Sequence, residues 1–290
     1  DIVASYNNVG YAYGELADHK KELNYYLKVL AIQEKVLPEN HPDIAASYND
    51  VGSVCSELGD HKKELDYYLK ALAIREKVLP ENHPDIAASY NNVGYAYYEL
   101  GEHKKAFEYC LKALTIREKV LPENHPDIAA SYNNVGGAYG KLGDHKKALE
   151  YFLKALAIQE KVLPENHPDI AASYNDVGSA YGELGDHKKE LEYYLKALAI
   201  QEKVLPENHP AIVTSYNNVG YAYGKLGDRK KALEYFLKAL AIREKVLPEN
   251  HPDIAVLYNN VGGAYGELGE YKKALEYYQR LLSIQNDTLL

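Results

Sequence analysis

An all-α solenoid of seven helix-turn-helix units is the fold this sequence predicts, and three observations predict it. The first is repetition. DIAASYN opens at Asp43, Asp85, Asp127 and Asp169, close variants open at Asp1, Ala211 and Asp253, and every step is 42 residues. Tandem copies of one short unit stack into an extended array, because no unit can bury its apolar face alone. The second is the helical spacing of apolar residues within each unit, and the third is Gly and Pro recurring in register at the unit's two turns. The units are 1–42, 43–84, 85–126, 127–168, 169–210, 211–252 and a shorter 253–290, and the chain is expected to be a single array over 1–290.

The unit 127–168 shows the logic. Ile128, Tyr132, Val135, Tyr139 and Leu142 are spaced four, three, four and three apart, which places them on one face of a first helix. Pro126 suits its first turn, where a missing N–H has no partner to lose, and Asp127 adds negative charge at the positive end. Gly136 permits close approach of a second helix, and Gly143 ends the first helix with a left-handed cap.

Asp144 is the expected N-cap of a second helix over about His145–Leu163. Its apolar residues, including Ala148, Leu149, Phe152, Ala155, Leu156 and Ile158, cover most of its circumference, so it must be covered on two sides. Glu150 and Lys154 lie four apart on the remaining polar stripe with Lys161, and Pro164 stops the helix.

Bulk composition excludes several functions. Against 33 Lys and Arg stand 42 Asp and Glu, a net charge of −9 spread over all units. Nucleic acid needs a basic stripe and anionic membranes need basic clusters, so neither is an expected partner. No apolar run reaches transmembrane length, and no N-terminal signal pattern is visible. With no Met and a start inside a unit, the chain reads as a piece of a longer protein. Cys55 takes the place of Tyr13, Tyr97 and Tyr139, and Cys110 that of Tyr26, Tyr68 and Tyr194. Both read as buried, reduced thiols, which fits a reducing compartment and a cytoplasmic location.

The spacing VxxxY, the glycine turn, and the small-aromatic-small pattern resemble a tetratricopeptide repeat: Tyr132, Val135-Gly136, Tyr139, Gly143, Ala148, Phe152, Ala155 and Pro164 carry it. The unit is longer than that family's usual one, with the excess in the second helix, and SYNNVG with ALAIQEKVLPENHPDI resembles the kinesin light chain type. The resemblance implies a right-handed superhelix, with first helices lining a concave surface that binds extended or helical peptides. Three departures stand out. Glu22, Glu64 and Glu190 replace the small residue that Ala106, Ala148, Ala232 and Ala274 supply, and such a Glu is expected to snorkel toward the turn and open its hairpin slightly. Tyr replaces Trp as the large anchor. The last unit carries Leu281 where Ala239 stands and closes on Leu289-Leu290 without a polar cap.

The candidate site is the face of the first helices turned away from the Tyr/Val core. It carries an invariant amide at the seventh place, Asn7, Asn49, Asn91, Asn133, Asn175, Asn217 and Asn259. The eighth place holds Asn8, Asn92, Asn134, Asn218 and Asn260, with Asp50 and Asp176 in two units, and the eleventh holds Tyr11, Tyr95 and Tyr221, or Ser or Gly. Glu15, Glu57, Glu99, Glu183 and Glu267, with Lys141 and Lys225, follow further round. An amide both donates and accepts, so a row of them can pair with a peptide backbone without reading its side chains; in the resembled family Asn on this helix does so. The same row could instead bridge neighbouring units, and both readings stand. The acidic balance points to a neutral or basic peptide.

No catalytic group, metal site or cofactor is expected. Six histidines lie in the N-H-P turns, four follow the cap Asp and His103 follows Glu102, and none has a second ligand at a metal-building spacing. The glycines of VGYAYGELG follow no strand, so they form no phosphate loop. The Asn286-Asp287-Thr288 triplet matches a glycosylation acceptor by chance. The expected function is a non-enzymatic scaffold for protein or peptide partners; the alternative is a spacer or rod that self-associates through its uncapped ends.

Overall fold

The computed structural model describes residues 2–248 and 251–287, so Asp1, Thr288 of the glycosylation triplet, Leu289 and Leu290 lie outside the described residues. The described residues form fourteen α-helices and no strand. First helices are α1 (Ile2–Glu15), α3 (Pro42–Glu57), α5 (Pro84–Glu99), α7 (Pro126–Lys141), α9 (Pro168–Glu183), α11 (Pro210–Lys225) and α13 (Pro252–Glu267). Second helices are α2 (His19–Val36), α4 (His61–Val78), α6 (His103–Val120), α8 (His145–Val162), α10 (His187–Val204), α12 (Arg229–Val246) and α14 (Tyr271–Asp287).

Local chemistry sets these boundaries. Each interior first helix begins with Pro in its first turn, and the preceding His caps it: the His125 Nδ1 accepts the Asp127 N–H at 3.1 Å, and His41, His83, His167, His209 and His251 do the same in their turns. The turn histidines are thus capping residues. Each hairpin turn needs one residue at positive φ, and Gly59, Gly101, Gly143, Gly185, Gly227 and Gly269 supply it at φ between 72° and 82°. In the first repeat Ala17 takes that place at φ 55°. Asp18, Asp60, Asp144, Asp186 and Asp228 then cap the second helices through the N–H three residues on.

The chain divides into two compact units, Asp1–Tyr151 and Phe152–Leu290. In the first unit each of α1, α3 and α5 packs most extensively on the second helix that follows it, and that helix then packs on the next first helix. Its core includes Leu30, Ile44, Val51, Cys55 and Ile74 in one cluster and Tyr68, Leu72, Ile86, Val93, Ala96 and Ala106 in another. The second unit repeats the scheme with α9–α10, α11–α12 and α13–α14 as hairpins around Leu198, Ile212, Val219, Phe236, Leu240, Ile254 and Val261. This is α-solenoid packing, in which neighbouring pairs bury each other's faces. Close approach depends on the tenth-place glycine: a Cβ on Gly220 would lie 2.6 Å from the Phe236 ring.

Junctions within each unit are also stapled by side chains. The Tyr90 hydroxyl donates to Glu76, and Tyr48, Tyr132, Tyr174, Tyr216 and Tyr258 each reach the Glu fourteen residues earlier. Beside them Ser47 and Ser215 donate to Gln33 and Gln201, while Arg75 and Arg117 donate to Ser89 and Ser131. Cys55 and Cys110 are free and buried, and burial pushes the Cys110 thiol up to about 11.

Two expectations need correction. Leu142 was placed on the core face, yet it is 40% exposed. It is the C-cap residue, one position past the last helical turn, and so leaves the buried stripe. The first helix instead buries a second side through Ala129, Ser131 and Ala138. The Glu residues of the second helix do not snorkel to solvent. The Glu64 side chain is fully buried, and Glu22 and Glu190 are largely so, each bonding the His three residues before it at 2.9, 2.8 and 2.7 Å for Glu22, Glu64 and Glu190. Gly14 and Gly182 leave the room: a Cβ there would meet Glu22 and Glu190 oxygens at 2.7 and 2.6 Å.

Candidate functional site

Helical spacing puts places seven, eight, eleven and fifteen of each first helix on one side. The sequence-predicted amides and tyrosines lie there: Asn7, Asn8 and Tyr11 on α1, Asn49 on α3, Asn91, Asn92 and Tyr95 on α5, and Asn133 and Asn134 on α7 in the first unit. In the second unit they are Asn175 on α9, Asn217, Asn218 and Tyr221 on α11, and Asn259 on α13.

The seventh-place amides are engaged across repeats. Asn49 Oδ1 accepts from Asn92 Nδ2 at 2.9 Å, Asn91 from Asn134 at 2.6 Å, and Asn217 from Asn260 at 3.2 Å. Asn217 also donates to the Val213 carbonyl. Asn260, on α13, further accepts the Tyr221 hydroxyl at 2.7 Å. Each pair uses one N–H of the donating amide and one lone pair of the accepting amide, so every member keeps at least one N–H and one lone pair. Asn175 Oδ1 is buried with no hydrogen-bond partner among the described residues.

Tyr11, Tyr95 and Tyr221 are exposed on this face. In the second unit a cavity of about 410 Å³ opens beside Tyr221, floored by Gly220, Gly224 and Phe236 and rimmed by Lys225, Asn260 and Glu267. A cavity of about 540 Å³ in the first unit lies instead against α6, at Phe107, Leu111, Thr115 and Tyr90, and touches none of the amides. The eighth-place acids sit awkwardly: burial pushes Asp176 up to about 6, and it raises Asp50 as well. Among the described residues no group of His, Cys, Asp and Glu could hold a metal ion, and no helix is long and apolar enough to cross a membrane.

The tetratricopeptide repeat family profile matches residues 1–77, 85–161, 127–203 and 211–287. The chain belongs to the tetratricopeptide repeat family. This family member resembles solved structures along its length. One, from Podosopora anserina and described as a kinesin light chain with nearly identical TPR-like repeats, shares 29% identity at a TM-score of 0.65, over 71% of this chain and 98% of that one. The apo form of RapI has 18% identity and a TM-score of 0.72, with 98% and 97% covered. A Rap protein solved in complex with Competence and Sporulation Factor has 20% identity and a TM-score of 0.61, with 99% and 75% covered. At those identities the two Rap proteins attest the fold. Comparison with curated proteins gives no match. Tetratricopeptide repeats are protein-interaction scaffolds.

Proposed function

We propose that this tetratricopeptide chain is a non-enzymatic interaction module that binds an extended or helical peptide of a partner protein along the first-helix face. The observation that carries the reading is the row of bridged amides, each with an N–H and a lone pair left over, beside exposed Tyr11, Tyr95 and Tyr221. The interhelix pairs fix the amides' orientation in advance, which lowers the ordering cost of binding. The complex of a Rap protein with Competence and Sporulation Factor supports the use of this fold for a ligand. The net charge of −9 favours a neutral or basic peptide over an acidic one, and a cytoplasmic setting agrees with two free, buried thiols.

The test is a peptide-display selection on the chain, followed by affinity measurement with Asn91→Ala and Asn134→Ala. Loss of affinity without loss of helical signal is expected. Selected peptides indifferent to both changes would remove the amides from the site.

A further inference from the structure

The exposed tyrosines of the first-helix face differ in their surroundings. Tyr95 on α5 has Glu99 four residues on in the same helix and Glu57 on α3, while Glu64 lies below; with burial first, these carboxylates raise its phenol in that order, Glu99, Glu64, Glu57. The Glu64 side chain is fully buried, its Oε2 bonds His61 at 2.8 Å, and its Oε1 has no hydrogen-bond partner among the described residues. His61 Nε2 also lies 4.0 Å from Glu99, and Glu57 makes no ion pair among the described residues. Tyr11 has a comparable setting, for its phenol is raised first by a hydrogen bond to Glu15. Tyr221 does not: Lys225 takes the place of the Glu, its hydroxyl turns to Asn260, and Glu267 pairs with Arg229 at 3.6 Å.

Tyr95 is 49% exposed, so its ring reaches solvent beside these carboxylates. A ring face attracts a cation through its quadrupole, and surrounding carboxylates deepen the attraction. The chain already pairs ammonium groups with tyrosines this way, as with Lys28 4.6 Å from the Tyr25 ring centre and Lys196 4.7 Å from that of Tyr193. We propose that the open face of Tyr95, flanked by Glu57 and Glu99 above the buried Glu64, seats an arginine or lysine side chain of the bound peptide. This rests on the peptide-binding reading and adds its chemistry: the Tyr95 setting, with Glu99, takes a basic residue, and the Tyr221 setting, with Lys225, repels one.

The test is fluorescence anisotropy at low salt with a labelled (Arg-Gly)4 peptide and its (Glu-Gly)4 counterpart. Two variants reproduce residues that the chain itself carries at these places, Tyr95→Ser as in Ser53 and Glu99→Lys as in Lys141, so both are compatible with the fold. Wild type is expected to prefer the arginine peptide. Tyr95→Ser should weaken it about fivefold, and Glu99→Lys about tenfold, since a like charge replaces an opposite one. Glu276→Lys on α14, the same charge change away from this face, should stay within about twofold. Equal binding of both peptides, unaltered binding in both Tyr95→Ser and Glu99→Lys, or an equal loss in Glu276→Lys overturns the proposal. Display-selected neutral peptides that still need Asn91 and Asn134 would then show that the cation seat alone has failed; no peptide needing them would show that both readings have.

Discussion

Asn92 on α5 gives a side-chain N–H to Asn49 Oδ1 on α3 at 2.9 Å, so one amide row both joins repeats and faces outward. Replacing either residue by Ala leaves the other without its partner. Each change is expected to cost about 1 kcal/mol, and the double variant less than the sum. Urea unfolding of the four-member cycle measures the coupling; strict additivity would mean that the pair forms no effective bond.

The tyrosine staples predict alkaline sensitivity. Burial first, then the hydrogen bond to Glu34, pushes the Tyr48 phenol up to about 12. A folded-state value above the ordinary one, about 10, means the folded chain holds the proton more tightly. The staple's contribution is therefore complete below about pH 10 and is lost as pH rises toward the folded value. Tyr48→Phe should lower the melting temperature at neutral pH and shrink the further drop at alkaline pH, as circular dichroism melts can show.

Ala17 occupies a left-handed turn position at φ 55°, which glycine fills in the other six hairpins. A Cβ there costs roughly 1 kcal/mol. Ala17→Gly is expected to raise stability by a few tenths to about 1 kcal/mol despite the added freedom of the unfolded chain. An unchanged or lower urea midpoint would count against the turn geometry.

At Asp176, burial alone lifts the carboxyl to about 6. The unfolded value is about 3.9, so the folded chain is least penalised when this group is protonated. Stability should fall as pH rises from about 4 to about 6. Asp176→Asn restores the residue found at the eighth place of Asn134 and Asn218. It should add about 1–2 kcal/mol at pH 7, discounted for partial exposure, and flatten that slope.

Gly220 lies against the Phe236 ring, with a built Cβ only 2.6 Å away. Gly220→Ala should cost about 1–3 kcal/mol through overpacking. A melting temperature equal to that of the wild type would show that the ring can move aside freely.

Most of the fold was legible because the repeat states its own rules: Pro126, Gly143 and Asp144 fix two helix ends and a turn by backbone chemistry alone, and all three act as read. What local pattern cannot supply is the neighbour. Ser131 reads as a polar surface residue but is buried because Arg117 of the preceding repeat reaches its hydroxyl. Glu64 reads as a charge seeking water but is buried because His61 supplies a partner. At the candidate site, spacing placed every amide on one face, yet the Asn49–Asn92 and Asn217–Asn260 bonds depend on which helix follows which, and so emerge only in three dimensions.

Whether partners dock on the first helices is tested most directly by hydrogen–deuterium exchange of the chain with and without a display-selected peptide. Added protection over α5 and α7, around Asn91, Tyr95 and Asn134, or over α11 and α13, around Asn217 and Tyr221, is the predicted result. Protection confined to second helices such as α6 and α10, with the first helices unchanged, would contradict it.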